Sequence, residues 1–180
     1  MRPEINPGTR VLAIDPAAKG FGFAVVERDK GLLAWGTRDA RDDKYGTALR
    51  RAAELLDAYH PEVLVLEDCR ADGSRRRPHV RRLLRSIERL ATRRDVGVRL
   101  VPPSSRLATF AETGASTKCQ IATALSERFP VLRRTLPPAR KPWMTEDHRV
   151  GIFDAVALAV AYFSQEGKEG HHESDRGCVD

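Results

Sequence analysis

Apolar positions along the chain switch between two periods. Val11 to Ile14 is a short apolar run that stops at Asp15. Gly20 and Gly22 follow, and Phe23 to Val26 is a second run. Leu32 to Trp35 is a third, after the turn signal Asp29–Lys30–Gly31. Three short strands joined by tight turns predict an antiparallel meander. Over residues 45 to 60 the spacing lengthens: Leu49, Ala52, Ala53, Leu56 and Tyr59 recur every three or four positions. That is an amphipathic helix, and Pro61 ends it. Val63 to Leu66 is continuously apolar, as a central strand covered on both faces is, and it stops at Glu67.

The segment Arg70 to Arg77 carries Asp72–Gly73–Ser74 and leads to Pro78, a helix-start residue. Val80, Leu83, Leu84, Ile87, Leu90 and Ala91 then form one apolar stripe, with Arg81, Arg82, Arg85 and Arg89 mainly off it. Gly97 to Val101 predicts a fifth strand, closed by Pro102–Pro103, after which Ser104 or Ser105 is placed to cap a short helix. Gly114–Ala115–Ser116–Thr117 precedes a helix with Ile121, Ala122, Leu125 and Phe129 facing inward, and Pro130 ends it. Residues 130 to 144, rich in Pro and Arg, predict an irregular connection. Ile152 to Phe163 is apolar nearly all round and predicts a buried helix. The order gives an α/β architecture, a five-stranded mixed sheet with helices on both faces. No repeat or domain-sized linker interrupts it. The expected organisation is an extension over 1–9, one domain over 10–163 and a frayed polar tail over 164–180.

The chain has 180 residues, a size for one domain, and 41% of them are hydrophobic, too many for a disordered chain. No apolar run is long enough to span a bilayer, and MRPEINPGTR lacks a signal core. With Cys69, Cys119 and Cys178 too scattered for disulfides or a zinc cluster, a cytoplasmic protein with no membrane partner is expected. Charge narrows the field. The net formal charge is +6, and 25 of the 31 basic residues are Arg. From Arg70 to Arg99, 11 Arg face only Asp72, Glu88 and Asp95, a local +8. A basic stripe on a compact domain predicts a polyanion-binding face, with Arg70, Arg75, Arg76, Arg77, Arg81, Arg82 and Arg85 as candidate phosphate contacts; a merely solvated surface is the competing reading.

Asp15 and Glu67 each follow an apolar strand, at the C-terminal end where α/β folds place their sites. If the strands are parallel neighbours, the two side chains converge. Asp154 opens the otherwise apolar final helix, where an acid needs a partner or a task. Singly, each has an ordinary reading: a turn beside Pro16, a loop residue, a favourable charge near a helix start. Together, the three carboxylates would repel unless a divalent ion neutralised them. Hard oxygen ligands favour Mg2+ or Mn2+, and two such ions would activate water and stabilise a phosphodiester leaving oxygen.

Segment 11–27, VLAIDPAAKGFGFAVVE, resembles the first strand pair of the RuvC family of Holliday junction resolvases, within the ribonuclease H-like superfamily. VLVLED at 63–68 resembles the strand carrying that family's essential Glu, and FDAVALAVAY at 153–162 its last motif, an Asp opening an Ala-rich helix. The resemblance covers about residues 10 to 163 and implies a ribonuclease H-like fold. It further implies that Asp15, Glu67 and Asp154 are metal-binding catalytic carboxylates of a DNA endonuclease, a homodimer acting on branched DNA. Arg106 falls near a family basic residue, and Lys118 matches one at the start of the following helix; both would sit beside the scissile phosphate. An ordinary loop cation and a solvated first-turn residue are the competing readings.

Two departures stand out. The family has an acid or His one turn before the last Asp, where this chain has Gly151. Asp147, two turns back if the helix begins near Thr145, is the favoured substitute, with His148 second and Glu146 a further candidate. The family aromatic three residues past the Glu is replaced by Arg70, which makes junction selectivity less secure than nuclease chemistry. The alternatives are a RuvC-like nucleic-acid-binding protein that has lost catalysis, and a ribonuclease H-like enzyme acting on RNA or a hybrid. An actin-like phosphotransferase is discounted, for want of a second lobe and of a GxxxxGK[ST] element.

Overall fold

The computed structural model describes residues 8–17, 20–40, 43–138 and 147–174, with side chains placed through residue 167. Five strands form one sheet: β1 (Arg10–Ala17), β2 (Gly20–Glu27), β3 (Gly31–Asp39), β4 (Val63–Glu67) and β5 (Gly97–Val101). Their order is β3-β2-β1-β4-β5. The meander β1-β2-β3 is antiparallel, whereas β4 runs parallel to β1 and β5 parallel to β4. The mixed five-stranded sheet is the one the sequence predicts.

Strand alternation divides the core in two. Leu12, Ile14, Phe23, Val25, Leu64 and Leu66 pack under α1 (Lys44–Tyr59) and α2 (Pro78–Thr92). Val11, Ala13, Ala24, Val26, Val63 and Val65 pack on the opposite face, under α4 (Lys118–Arg128) and α5 (Val150–Ser174). The short α3 (Pro103–Ala111) joins that second layer through Phe110. From Val150 to Tyr162 every residue of α5 except the intermediate Val150 is buried, as its unbroken apolar run requires.

Several boundaries differ from expectation. Neither Ser104 nor Ser105 caps α3: Pro102 holds the N-cap position in an extended conformation and Pro103 opens the helix. A proline ring already fixes φ for a first turn and has no N–H to satisfy, so the serines fall inside the helix. Part of the connection after Pro130 is a 3-10 helix, Pro130–Thr135; residues 139–144 lie outside the described residues. The last helix begins before Ile152 and continues past Phe163 to Ser174. Glu166, in the segment expected to fray, lies 3.9 Å from Arg99 of β5. Among the described residues no helix is long and apolar enough to cross a membrane.

One close approach sets where α5 sits. Gly22 of β2 faces the α5 layer, in register with Asp15. A Cβ built on Gly22 would lie 2.1 Å from the carbonyl carbon and oxygen of Gly151. Only glycine allows this contact. Gly22→Ala is therefore expected to lower unfolding stability by about 1–3 kcal/mol, the range for overpacking a tight core, and to move the start of α5. Urea denaturation checks the first effect, and a Gly22→Ala protein as stable as wild type would contradict it.

Candidate metal and nucleic-acid site

The β1–β4 register builds the centre. Val11 pairs with Val63 and Ala13 with Val65. Continued by two residues, that register sets Asp15 opposite Glu67, both on the α5 face and both at the strand ends. Asp154 reaches the same region from the first turns of α5. All three are buried, at 3%, 6% and 8% exposure, so water screens them little.

Cations meet each of them. The Arg76 guanidinium donates through Nε to Glu67 Oε1 at 2.9 Å and through Nη2 to Glu67 Oε2 at 3.1 Å. Its Nη2 also donates to Asp15 Oδ1, and its Nη1 to the Pro16 carbonyl at 2.9 Å. Ser74 Oγ adds a hydrogen bond to Glu67 Oε1 at 3.3 Å. Across the cleft, Lys118 Nζ donates to Asp154 Oδ2 at 2.8 Å, and Arg106 Nη1 to Asp154 Oδ1 at 3.4 Å. Lys118 is the first residue of α4, held there by a capping box between Thr117 and Gln120.

Burial, then the charge of Asp154, pushes the Asp15 carboxyl up from its ordinary 3.8 to about 7, with Arg76 and Arg106 opposing. Burial works against the Arg76 charge, but Asp15 and Glu67 outweigh it and hold the guanidinium protonated.

The predicted residues thus divide. Asp15 and Asp154 line one cleft of about 970 Å³, and Glu67, which does not line it, is joined to Asp15 through Arg76; among the described residues no three His, Cys, Asp or Glu side chains gather closely enough to hold an ion. Side-chain cations stand between them instead. Arg76, expected on phosphate, lies on the carboxylates, and Arg106 on Asp154. Asp147 and His148 line the same cleft, but Asp147 is not on the helix: α5 starts at Val150. Asp147 instead accepts from the Arg149 backbone N–H at 2.9 Å and side chain at 2.7 Å, and the side-chain bond leads in drawing its carboxyl down to about 2. His148 Nδ1 lies 3.5 Å from Asp147 Oδ1. Glu146 lies outside the described residues.

The arginine face also divides. Arg81 donates through Nε to the Arg76 carbonyl at 2.9 Å, bracing the loop, and Arg82 stacks 4.7 Å from the Tyr45 ring centroid. Arg70, Arg75, Arg77 and Arg85 are exposed. Arg85 and Arg70 line a groove with Arg89 and Arg93. Arg89 and Arg93 were not among the predicted contacts, though a four-residue spacing puts Arg85 and Arg89 on one face of α2 and Arg93 just past its end.

A three-carboxylate set of hard oxygens, two at adjoining strand ends and one near a helix start, with the Asp15 carboxyl pushed up by burial and then by the Asp154 charge, fits Mg2+ or Mn2+ in donor chemistry. Direct binding to Asp15 and Glu67 requires that Arg76 leave.

No family model matches the chain, and no curated protein matches it in sequence. Solved structures do match. Thermus thermophilus RuvC superposes with a TM-score of 0.63 at 21% identity, over 88% of this chain and 96% of that one. The yeast mitochondrial Holliday junction resolvase gives 0.62 at 14% identity, over 95% and 84%. The fowlpox virus resolvase, solved with Holliday junction DNA, gives 0.52 at 15% identity, over 86% and 99%. The chain has a RuvC-like resolvase fold of the ribonuclease H-like type.

The Asp15 shift has a consequence for stability. With the folded pKa near 7 and the ordinary value 3.8, the folded state keeps a proton across that window that the unfolded state has lost. Stability from this group is full below 3.8 and is lost as pH rises through about 7. In metal-free buffer, urea titrations from acid to neutral pH should show Asp15→Asn losing less stability than wild type. Parallel profiles would contradict the shift.

Proposed function

We propose that this protein is a divalent-metal-dependent endonuclease that hydrolyses phosphodiesters of branched DNA. The observation that carries the reading is that Arg76 bridges Asp15 and Glu67 at two parallel strand ends while Asp154 lines the same cleft as Asp15, beside an arginine-rich helix. Thermus thermophilus RuvC, also solved with Holliday junction substrate, and the fowlpox resolvase lend support through fold and the DNA they hold.

Asp15, Glu67 and Asp154 are the side chains that would hold Mg2+ or Mn2+, which when bound supplies an activated water and stabilises the leaving oxygen. Lys118 and Arg106 fix the Asp154 carboxylate, and the half-exposed Lys118 is within the cleft where a phosphate would enter. Arg70, Arg85, Arg89 and Arg93 hold the polyanion away from the carboxylates. Asp147 and His148 are available to water at the cleft mouth. Paired cuts in a symmetric junction need two sites about a two-fold axis, so the active form is taken to be a homodimer.

A second reading has its own observation. Gly151 stands where the resembling family has an acid or His, and the carboxylates are already met by cations, as in a binding protein that has lost catalysis. One experiment separates the two. Cleavage of junction, flap, duplex, single-stranded and RNA–DNA hybrid substrates is measured with Mg2+, with Mn2+ and with chelator. The expected result is metal-dependent cutting of branched DNA that Asp15→Asn abolishes while binding persists. Binding without cutting at any metal concentration would establish the second reading, and preferential cutting of the hybrid would move the substrate to RNA.

The groove makes a separate prediction. Replacing Arg85, Arg89 and Arg93 by Ala should weaken binding to all DNA forms, and each lost contact should flatten log affinity against log salt by about 0.9. An unchanged slope would show that DNA lies elsewhere.

A further inference from the structure

The oxygens that Arg76 occupies are the ones a divalent cation would need. Its Nη2 bonds both Glu67 Oε2 and Asp15 Oδ1, so the guanidinium lies between the two strand ends and blocks the shared position. The charge count points the same way. Even with all three ionised, Asp15, Glu67 and Asp154 are matched by Arg76, Arg106 and Lys118, leaving no net negative charge at the centre to draw in a cation. Withdrawing Arg76 alone would leave the ionised centre with a net charge of −1 and the two facing carboxylates without their shared cation.

Arg76 is also placed to leave. It belongs to the loop between Glu67 and Pro78, which turns at Gly73 with φ of +85°. The loop's hold on α2 includes the Arg81 bond to the Arg76 carbonyl, a backbone contact that does not fix the guanidinium. Arg75 and Arg77 flank it and are exposed, so a phosphate reaching the loop meets them first. A guanidinium binds phosphate as well as carboxylate, in the same two-pronged geometry.

We propose that Arg76 is a counter-ion gate: in the DNA-free protein its guanidinium holds the Asp15–Glu67 position, and a DNA phosphate draws it off so that a divalent cation can enter. The gate rests on the metal-site reading above and goes beyond it, because it makes cation affinity depend on DNA. By linkage, DNA then raises affinity for the cation as much as the cation raises affinity for DNA.

Calorimetry of the full chain with Mn2+, without DNA, tests the first half. Arg76→Gln should bind Mn2+ about tenfold or more tightly than wild type, within the usual range of coupling between sites, and Asp15→Asn added to it should erase the gain. Its melting temperature should fall without Mn2+ and recover with it; a merely structural ion pair would give the fall without the recovery. If Arg76→Gln does not fold, Arg76→Lys is read instead, since an ammonium cannot fork across both acids and should also bind Mn2+ more tightly than wild type. Ca2+ titrations with and without a short duplex test the second half: wild type should gain affinity with DNA and Arg76→Gln should not. Equal Mn2+ affinity in wild type and variant, in a protein that cleaves DNA, would overturn the gate and leave the nuclease reading standing. No Mn2+ binding by any variant would overturn both.

Discussion

Three carboxylates buried near one another and away from water repel, and the low polarity around them makes that repulsion costly. Either they take up protons or positive charge is brought to them. Both responses are visible. Asp15, most deeply buried of the three, has its carboxyl pushed up to about 7, and three basic side chains close on the cluster. Removing one partner from a buried pair of this kind costs on the order of 3–5 kcal/mol, because the other charge stays behind unmatched. The basic residues around the cleft are therefore part of what lets the acids be buried at all.

The fold supplies the position of those charges from few local rules. Parallel pairing of β1 with β4 puts Asp15 and Glu67 side by side, and strand alternation turns both toward α5. Helix α5 can come close enough for Asp154 to join them because Gly22 and Gly151 meet without side chains. The apolar run from Ile152 onward then locks the helix down against the sheet, so the Asp154 carboxylate is carried by a rigid element.

What could be seen in the sequence follows from this. Asp15, Glu67 and Asp154 interrupt apolar runs at element boundaries, and an interruption of that kind is visible to any reading of periodicity. The sheet and its helices were legible for the same reason. Arg76 was not separable from Arg75 and Arg77, because a loop has no period to say which of three adjacent arginines turns inward. Asp147 was misplaced by assuming a helix continuous through Gly151, whereas its side chain caps the Arg149 turn just ahead of α5. Ser104 and Ser105 misled because a favourable cap residue lay beside a proline pair that starts the helix without one.

Gly151 and Arg76 are best understood together. A carboxylate at residue 151 would place its Cβ 3.3 Å from the Gly22 nitrogen, so the strand would have to give way by a few tenths of an ångström. It would also bring a fourth acid to a centre that three basic side chains already neutralise. With glycine there, the acids and the basic residues balance, and the guanidinium of Arg76 can sit between Asp15 and Glu67 without leaving an unmatched charge elsewhere. The glycine at 151 and the inward arginine thus answer to one electrostatic requirement. A chain with fewer carboxylates at its centre attracts a cation less strongly and depends more on what its own basic loop is bound to.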